Sequence, residues 1–470
     1  MLFNSIDFPF FMALVFTGYW FIFKKREQQN VFLLVASYFF YACWDSRFLF
    51  LLLFSTALDY ATGHLIFTAQ QNRKKLWLTI SIVINLGFLF FFKYYNFFAE
   101  SFSQAFTFFG YKISPLSLSI VLPVGISFYT FHGLSYVIDI FKGRIEPERN
   151  FGTYALFVSY FPLLVAGPIE RATHLLPQLL KPRVFSYELA TDGLRQFLWG
   201  LFKKVVIANN CAHYADKVFV EGHPYNGSSL ALGVFFFSIQ IYADFSGYTD
   251  MASGVSKLLG INLLRNFNYP YFATDIADFW RRWHISLSSW FRDYVYIPLG
   301  GSRGSVLKQL RNVFVIFLLS GFWHGANSTY IIWGFVHACL FITLLLMNRN
   351  RASVGSVPQL QNLGSIVFTF AQVCFAWVFF RAESFTQAVT ILKGIFSASL
   401  FSMPEFLPKK LLVIIAAFIV VDWLGRRDEY PLASLHKIMP AYARIGVYYA
   451  LIVVVLLFME YEAQFIYFQF

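Results

Sequence analysis

Apolar runs close to the length of a membrane crossing recur from one end of this chain to the other, and they decide what it can fold into. They lie near residues 6–23, 31–43, 47–66, 76–94, 118–141, 151–166, 192–209, 229–247, 312–324, 328–347, 362–380, 411–424 and 444–460. A helix needs about 20 apolar residues to cross the hydrocarbon core, and several of these runs are shorter. About eleven true spans are therefore expected, with re-entrant or interfacial helices making up the rest. Of the 470 residues, 58% are hydrophobic and 13% charged, against about 25% charged in soluble proteins. Too little polar surface exists to clothe a soluble globule of this size. The expected fold class is an all-α polytopic membrane protein. Disorder, collagen-like repeats, a secreted disulfide scaffold and a cytosolic enzyme are excluded.

The formal net charge of +12 follows the cytoplasmic-loop bias of membrane proteins and does not point to nucleic acid. Basic clusters bracket the runs: Arg73-Lys74-Lys75, then Lys142, Arg144 and Arg149, then Lys203-Lys204, with further cationic residues around 303–311, 349–351 and 426–427. The first three alternate with spans as cytoplasmic clusters would. No basic residue precedes the run 6–23, and Lys24-Lys25-Arg26 follow it directly. That order marks a retained first segment whose residue 1 faces outward. Cys43, Cys211, Cys339 and Cys374 form no C-x-x-C pair and read as buried free thiols. No fixed-period repeat, low-complexity segment or appended soluble domain is visible. Segments 167–191 and 260–311 are the least apolar. The second is too polar to span yet rich in Trp and Tyr, which suits the membrane interface.

Ionisable residues inside apolar runs are costly and mark function by default. His324 stands out in SGFWHGAN, residues 320–327, at the end of an apolar run. Thirteen residues of helix from Arg311 carry it about 20 Å inward, near or past the bilayer midplane. Gly325, Ala326 and Asn327 then break the pattern, and a broken helix at that depth must be buried in protein or line a cavity. The alternative is a core histidine hydrogen-bonded to a neighbouring helix. His284 sits in DFWRRWHISLSSWFRDYVYIPLGG, residues 278–301. This stretch reads either as an interfacial amphipathic helix or as a basic, aromatic-lined site for a phosphate-bearing or acyl donor. His132 reads as a helix-packing polar group. His337 lies thirteen residues after His324, off its helical face at 100° per residue, so the two make a poor metal site. Asp244 and Asp250, in DFSGYTDMASG, suggest a kinked helix facing a polar cavity, or carboxylates paired with arginines of the 278–303 stretch. No H-E-x-x-H, G-x-S-x-G or P-loop occurs. No metal and no bound cofactor are expected.

Taken in order, the motifs resemble the membrane-bound O-acyltransferase family, and within it the bacterial branch that O-acetylates alginate. The strings are MLFNSIDFPFF, SYFFYACWD, PVGISFYTFHGLSYVIDI, FPLLVAGPIERATHLLPQL, DFSGYTDMASG, DFWRRWHISLSSWFRDYVYIPLGG, SGFWHGAN and FAWVFFRAESF. The resemblance implies a single acyltransferase domain over residues 1–470, with its catalytic core near 120–340. It implies a ring of about eleven transmembrane helices around a central funnel or tunnel. It places the family's essential histidine on His324 and the second signature position on His284. Trp323, Asn327, Asp278, Arg281, Arg282, Asp244 and Asp250 become candidates for binding substrate or donor. The implied reaction moves an acetyl group from a cytoplasmic thioester, acetyl-CoA as co-substrate, to hydroxyls of an exported polysaccharide. The implied partner is a periplasmic or extracellular SGNH-type acetyltransferase, and the implied location is the bacterial inner membrane. In this scheme His324 is a general base, and His284 orients the acceptor or stabilises the oxyanion. Arg281 and Arg282 hold donor phosphates. Two other readings stand beside it: an acetyl-shuttling transporter whose chemistry lies in a partner, and D-alanyl transfer from a carrier protein.

Overall fold

The computed structural model describes residues 1–108, 117–165, 167–220, 223–459 and 465–466. Ala166 and Glu460, which close two of the expected apolar runs, lie outside that set. Every regular element among the described residues is helical. The chain divides into two compact units: residues 1–190 with 256–263, and residues 191–255 with 264–470.

Among the described residues, six helices are long and apolar enough to cross a membrane: Arg47–Thr68, Gln71–Thr107, Gly227–Leu258, Val306–His324, Ser328–Leu346 and Leu360–Arg381. Asp7–Ile22 and Ala441–Leu457 are shorter apolar helices. Several expected runs are built from pieces instead. The run 118–141 contributes only the helix Ile126–Phe141, and 151–166 breaks into Phe151–Ser159 and Phe161–Leu164 around Tyr160. Pro162, at the start of the second piece, lacks the N–H that a continuing helix would use.

In the first unit, α1 (Arg47–Thr68) meets α2 (Gln71–Leu89) through a buried polar knot. Asp59 accepts hydrogen bonds from Ser81 and Asn85, both at 2.8 Å. On α3 (Ile126–Phe141), His132 is buried and its Nε2 accepts the Glu170 backbone N–H at 3.1 Å. His132 is thus a packing histidine, as its sequence suggested.

The second unit holds the other candidate residues. Its helix α4 (Tyr187–Phe202), which begins in the first unit, runs into a six-residue π-helix, Lys203–Ala208. Against it lies α5 (Gly227–Leu258), 32 residues without interruption. The helix runs unbroken through Gly247 and Thr249. Gly247 serves close approach, because a β-carbon there would sit 2.8 Å from the Gly200 carbonyl oxygen. Two seven-residue helices follow, α6 (Ile276–Arg282) and α7 (Ile285–Phe291). Then come α8 (Val306–His324), α9 (Ser328–Leu346), α10 (Leu363–Arg381) and α11 (Lys409–Gly425).

Helices α8 and α9 form an antiparallel hairpin. A side chain at Gly321 would collide with the Tyr330 carbonyl, and one at Gly334 with that of Phe317. Small residues let the two backbones touch, the usual device where lipid supplies no hydrophobic drive. The expected break at Gly325, Ala326 and Asn327 is therefore the tip of this hairpin. His324 closes a helix of membrane-crossing length rather than interrupting one in its middle.

Among the four cysteines, which are all unbridged, only Cys211 is fully buried; Cys43 and Cys339 are exposed on the protein surface and Cys374 is half-buried. The expectation of buried thiols fails for Cys43 and Cys339, whose helix faces point away from the protein core.

A candidate acyl-transfer site in the second unit

His324 is the last residue of α8 and is 5% exposed. Rings enclose it: Trp323 at 4.9 Å between centroids, Trp333 at 5.2 Å and Phe380 at 5.1 Å. Asn327 caps the returning helix, its Oδ1 accepting the Thr329 N–H at 3.1 Å while its Nδ2 donates to the Glu383 carbonyl at 2.8 Å. The structure thus gives Asn327 a capping and loop-fixing task.

His284 comes from the link between α6 and α7. It is fully buried, and its φ of +44° is one of three positive values at non-glycine residues among those described. Such backbone costs roughly 1–3 kcal/mol and persists where surrounding contacts enforce it. Its ring meets Phe245 edge-on at 4.7 Å and Trp323 at 6.2 Å. Trp323 therefore contacts both histidines. Burial away from water lowers the His284 pKa well below the usual imidazole value and keeps the ring neutral.

The segment carrying His284 forms two short helices whose apolar side chains pack into the helical unit. Ile276, Phe279, Leu287, Trp290 and Phe291 are buried. Its polar groups neutralise one another, which makes that burial tolerable. Arg282 donates through Nε to Asp278 at 2.9 Å and through Nη2 to the Ser356 carbonyl at 2.8 Å. Arg282 and Asp278 thereby hold α6 to the loop after α9. Arg281 reaches the Asn350 carbonyl at 3.0 Å and the Ser353 hydroxyl at 2.5 Å.

A cavity of about 650 Å³ lies between α6, α7, α8 and α9. Arg281, Arg292 and Arg351 line it with the apolar walls of Trp280 and Phe317, and Ser320 belongs to it as well. Ser320 is one turn before His324 on the same helical face. Cationic and apolar side chains lining one cavity suit a ligand that joins phosphates to an apolar chain.

Asp244 and Asp250 do not pair with the arginines of 278–303. Lys204 meets Asp244 at 2.8 Å and Lys203 meets Asp250 at 2.5 Å, with Lys203 also donating to Ser246 at 2.9 Å. Lys203 and Lys204 are buried, so they are not the loop cluster their sequence suggested. The π-helix turns both toward α5, where acids six residues apart receive them. Asp244 also accepts the Ile466 N–H at 2.8 Å. Asp250 does face a polar cavity, shared with Gln196, Thr249 and Tyr269.

His337 lies among rings elsewhere on α9, its Nδ1 accepting the Trp280 indole N–H at 3.3 Å. No cluster able to hold a metal ion occurs among the described residues.

Sequence reasoning missed Asn266. It is fully buried, and its Oδ1 meets His284 Nδ1 at 3.0 Å and the Ser286 hydroxyl at 2.9 Å. No local pattern ties it to His284, which lies 18 residues later.

The family model for membrane-bound O-acyltransferases matches residues 148–385, which contain both histidines and the whole α6–α9 region. The chain belongs to that family. A curated member, the probable alginate O-acetylase AlgI of Pseudomonas aeruginosa, is 39% identical over 438 residues, covering 92% of this chain and 82% of its own. The peptidoglycan O-acetyltransferase of Helicobacter pylori is 38% identical over 84% of this chain and 79% of its own. The teichoic acid D-alanyltransferase of Bacillus subtilis is 30% identical over 56% of this chain and 69% of its own. For this O-acyltransferase the membrane-spanning helices and the transferase class follow from family membership.

Proposed function

We propose that this O-acyltransferase moves an acetyl group from acetyl-CoA to hydroxyls of an exported polysaccharide, with His324 and His284 in the transfer site. One observation carries the reading: two buried histidines share contact with Trp323, and Ile285 and Ser320, beside them on the chain and on α8, line a cavity that also holds arginines. In the reaction the acceptor oxygen attacks the thioester carbonyl while its proton passes to the His324 imidazole. The new C–O bond forms, the C–S bond breaks, and the proton returns to the departing thiolate. General-base help of this kind contributes roughly 10²–10⁴-fold. Arg281, Arg292 and Arg351 hold the donor phosphates; Arg282, tied to Asp278, sets the position of α6.

Alginate and peptidoglycan are acceptors named for relatives, and both are polysaccharides. The acetylating relatives align over far more of this chain than the D-alanylating one does, which favours acetyl over D-alanyl. The whole chain is proposed to act as one domain in the bacterial inner membrane, N-terminus outside, relaying acetyl groups to an SGNH-type partner or directly to polymer.

The test is purified protein in nanodiscs given radiolabelled acetyl-CoA, alone and with an SGNH-type partner and polysaccharide added. Transfer that disappears in His324→Ala supports the reading. Equal transfer in the variant rejects it. Arg281→Ala should raise KM for acetyl-CoA about tenfold, the loss of one charge-assisted phosphate contact, while kcat holds.

A further inference from the structure

We infer that Asn266 is a positioning residue that locks His284 in the tautomer with its proton on Nδ1, leaving Nε2 as a proton acceptor. The inference deepens the proposed function and rests on its placement of His284 in the transfer site.

The argument starts from a donor of fixed identity. The Ser286 backbone N–H points at Asn266 Oδ1 across 3.4 Å. A backbone amide only donates, so the oxygen of the Asn266 carboxamide, and not its NH₂, faces this side. The flip of the amide, ordinarily ambiguous, is thereby decided. The other end agrees, since Nδ2 donates toward the Thr249 hydroxyl at 3.4 Å.

With Oδ1 on this side, His284 Nδ1 at 3.0 Å must be the proton-bearing nitrogen. A neutral imidazole carries one proton, so Nε2 keeps its lone pair. The backbone reinforces the geometry. Ile285 N–H donates to the Asn266 carbonyl at 2.9 Å, and Asn268 N–H donates to the Arg282 carbonyl at 2.9 Å. The chain just before α6 is thus laced to both flanks of His284. Groups packed on the ring include Phe245 from α5, Asn266 from the stretch before α6, Ser286 from α7 and Trp323 from α8.

This tautomer divides the two roles that the sequence left open. A neutral His284 with a bare Nε2 has no proton there to give to a developing oxyanion. It accepts a hydrogen bond from the attacking hydroxyl and so orients the acceptor. Asn266 does for His284 what a buried carboxylate does for a catalytic imidazole elsewhere, fixing tautomer and ring direction through Nδ1.

The test reads the tautomer directly. Protein labelled with ¹⁵N-histidine is reconstituted in bilayers and examined by solid-state NMR, with the His284 signals identified by their loss in His284→Asn. The expected result is a protonated Nδ1 and a bare Nε2. A protonated Nε2, or a cationic ring, overturns the inference. Asn266→Asp keeps an acceptor and should keep the Nδ1 proton. Asn266→Leu should release it, giving a mixture of tautomers; an unchanged tautomer in folded Asn266→Leu removes Asn266 from the role. Acetyl transfer measured on the same samples separates this inference from the reading beneath it. Full activity in His284→Ala would end the catalytic reading while the tautomer result stood on its own.

Discussion

His324 and His284 touch the same tryptophan and are held by opposite means. His324 ends a membrane-length helix and sits in a box of rings from α8, α9 and α10. His284 sits between two seven-residue helices on left-handed backbone and is fixed by directed hydrogen bonds. Ring packing is weakly directional, and small shifts cost little. A hydrogen bond weakens steeply off its axis. The pair therefore combines an imidazole packed among rings of three helices with one whose Nδ1 is tied to a neighbouring amide.

Removing each support tests that contrast. The largest effect belongs to His324→Ala, expected to lower kcat by about 10²–10⁴-fold in protein that elutes as the native form; a smaller loss than in His284→Ala would reverse the order of the two histidines. Next comes the frame behind His284. Lys204→Met strands Asp244 beside Phe245 without its cation, and breaking a buried pair this way costs roughly 3–5 kcal/mol. Thermal unfolding in detergent should show a clearly lower midpoint, and an unchanged midpoint would mean the pair does not brace α5. Ser286→Ala removes one donor from Asn266 Oδ1, worth about 1 kcal/mol, and should lower kcat a few-fold. Phe380→Leu changes the ring box by a near-conservative swap costing less than about 1.5 kcal/mol. Its kcat should stay within about threefold of native. If Phe380→Leu proves worse than Ser286→Ala, the ring box is the more exacting of the two supports.

The helices and the end of α8 were legible because hydropathy and a sudden polar break are properties of adjacent residues. The run 312–324 and the string GAN announce the end of α8, and the Asn327 cap follows from its place. What stayed hidden were partners far apart in sequence. Lys203 and Lys204 look like a loop cluster until a π-helix turns both into the protein toward Asp250 and Asp244. Arg282 looks like a phosphate ligand until the Ser356 carbonyl, 74 residues later, is seen to accept from it. The burial of α6 and α7 was hidden for the same reason. A segment whose charges cancel internally has the composition of an interface and the environment of a core. Asn266 lies 18 residues before His284, and no local pattern couples them.

The wide turn at Lys203–Ala208 changes how length differences among relatives should be weighed. A π-helical turn is in effect one additional residue threaded into an α-helix. Deleting one residue there would restore the narrower winding, leaving the flanking helices in register and swinging only the side chains inside the turn. Two adjacent lysines would then address different parts of α5 than Asp244 and Asp250. A single-position gap in an alignment is usually dismissed as loop drift. At this place it would signal rewired charge, and an aligner that slides the gap into a neighbouring loop would erase the one change that mattered.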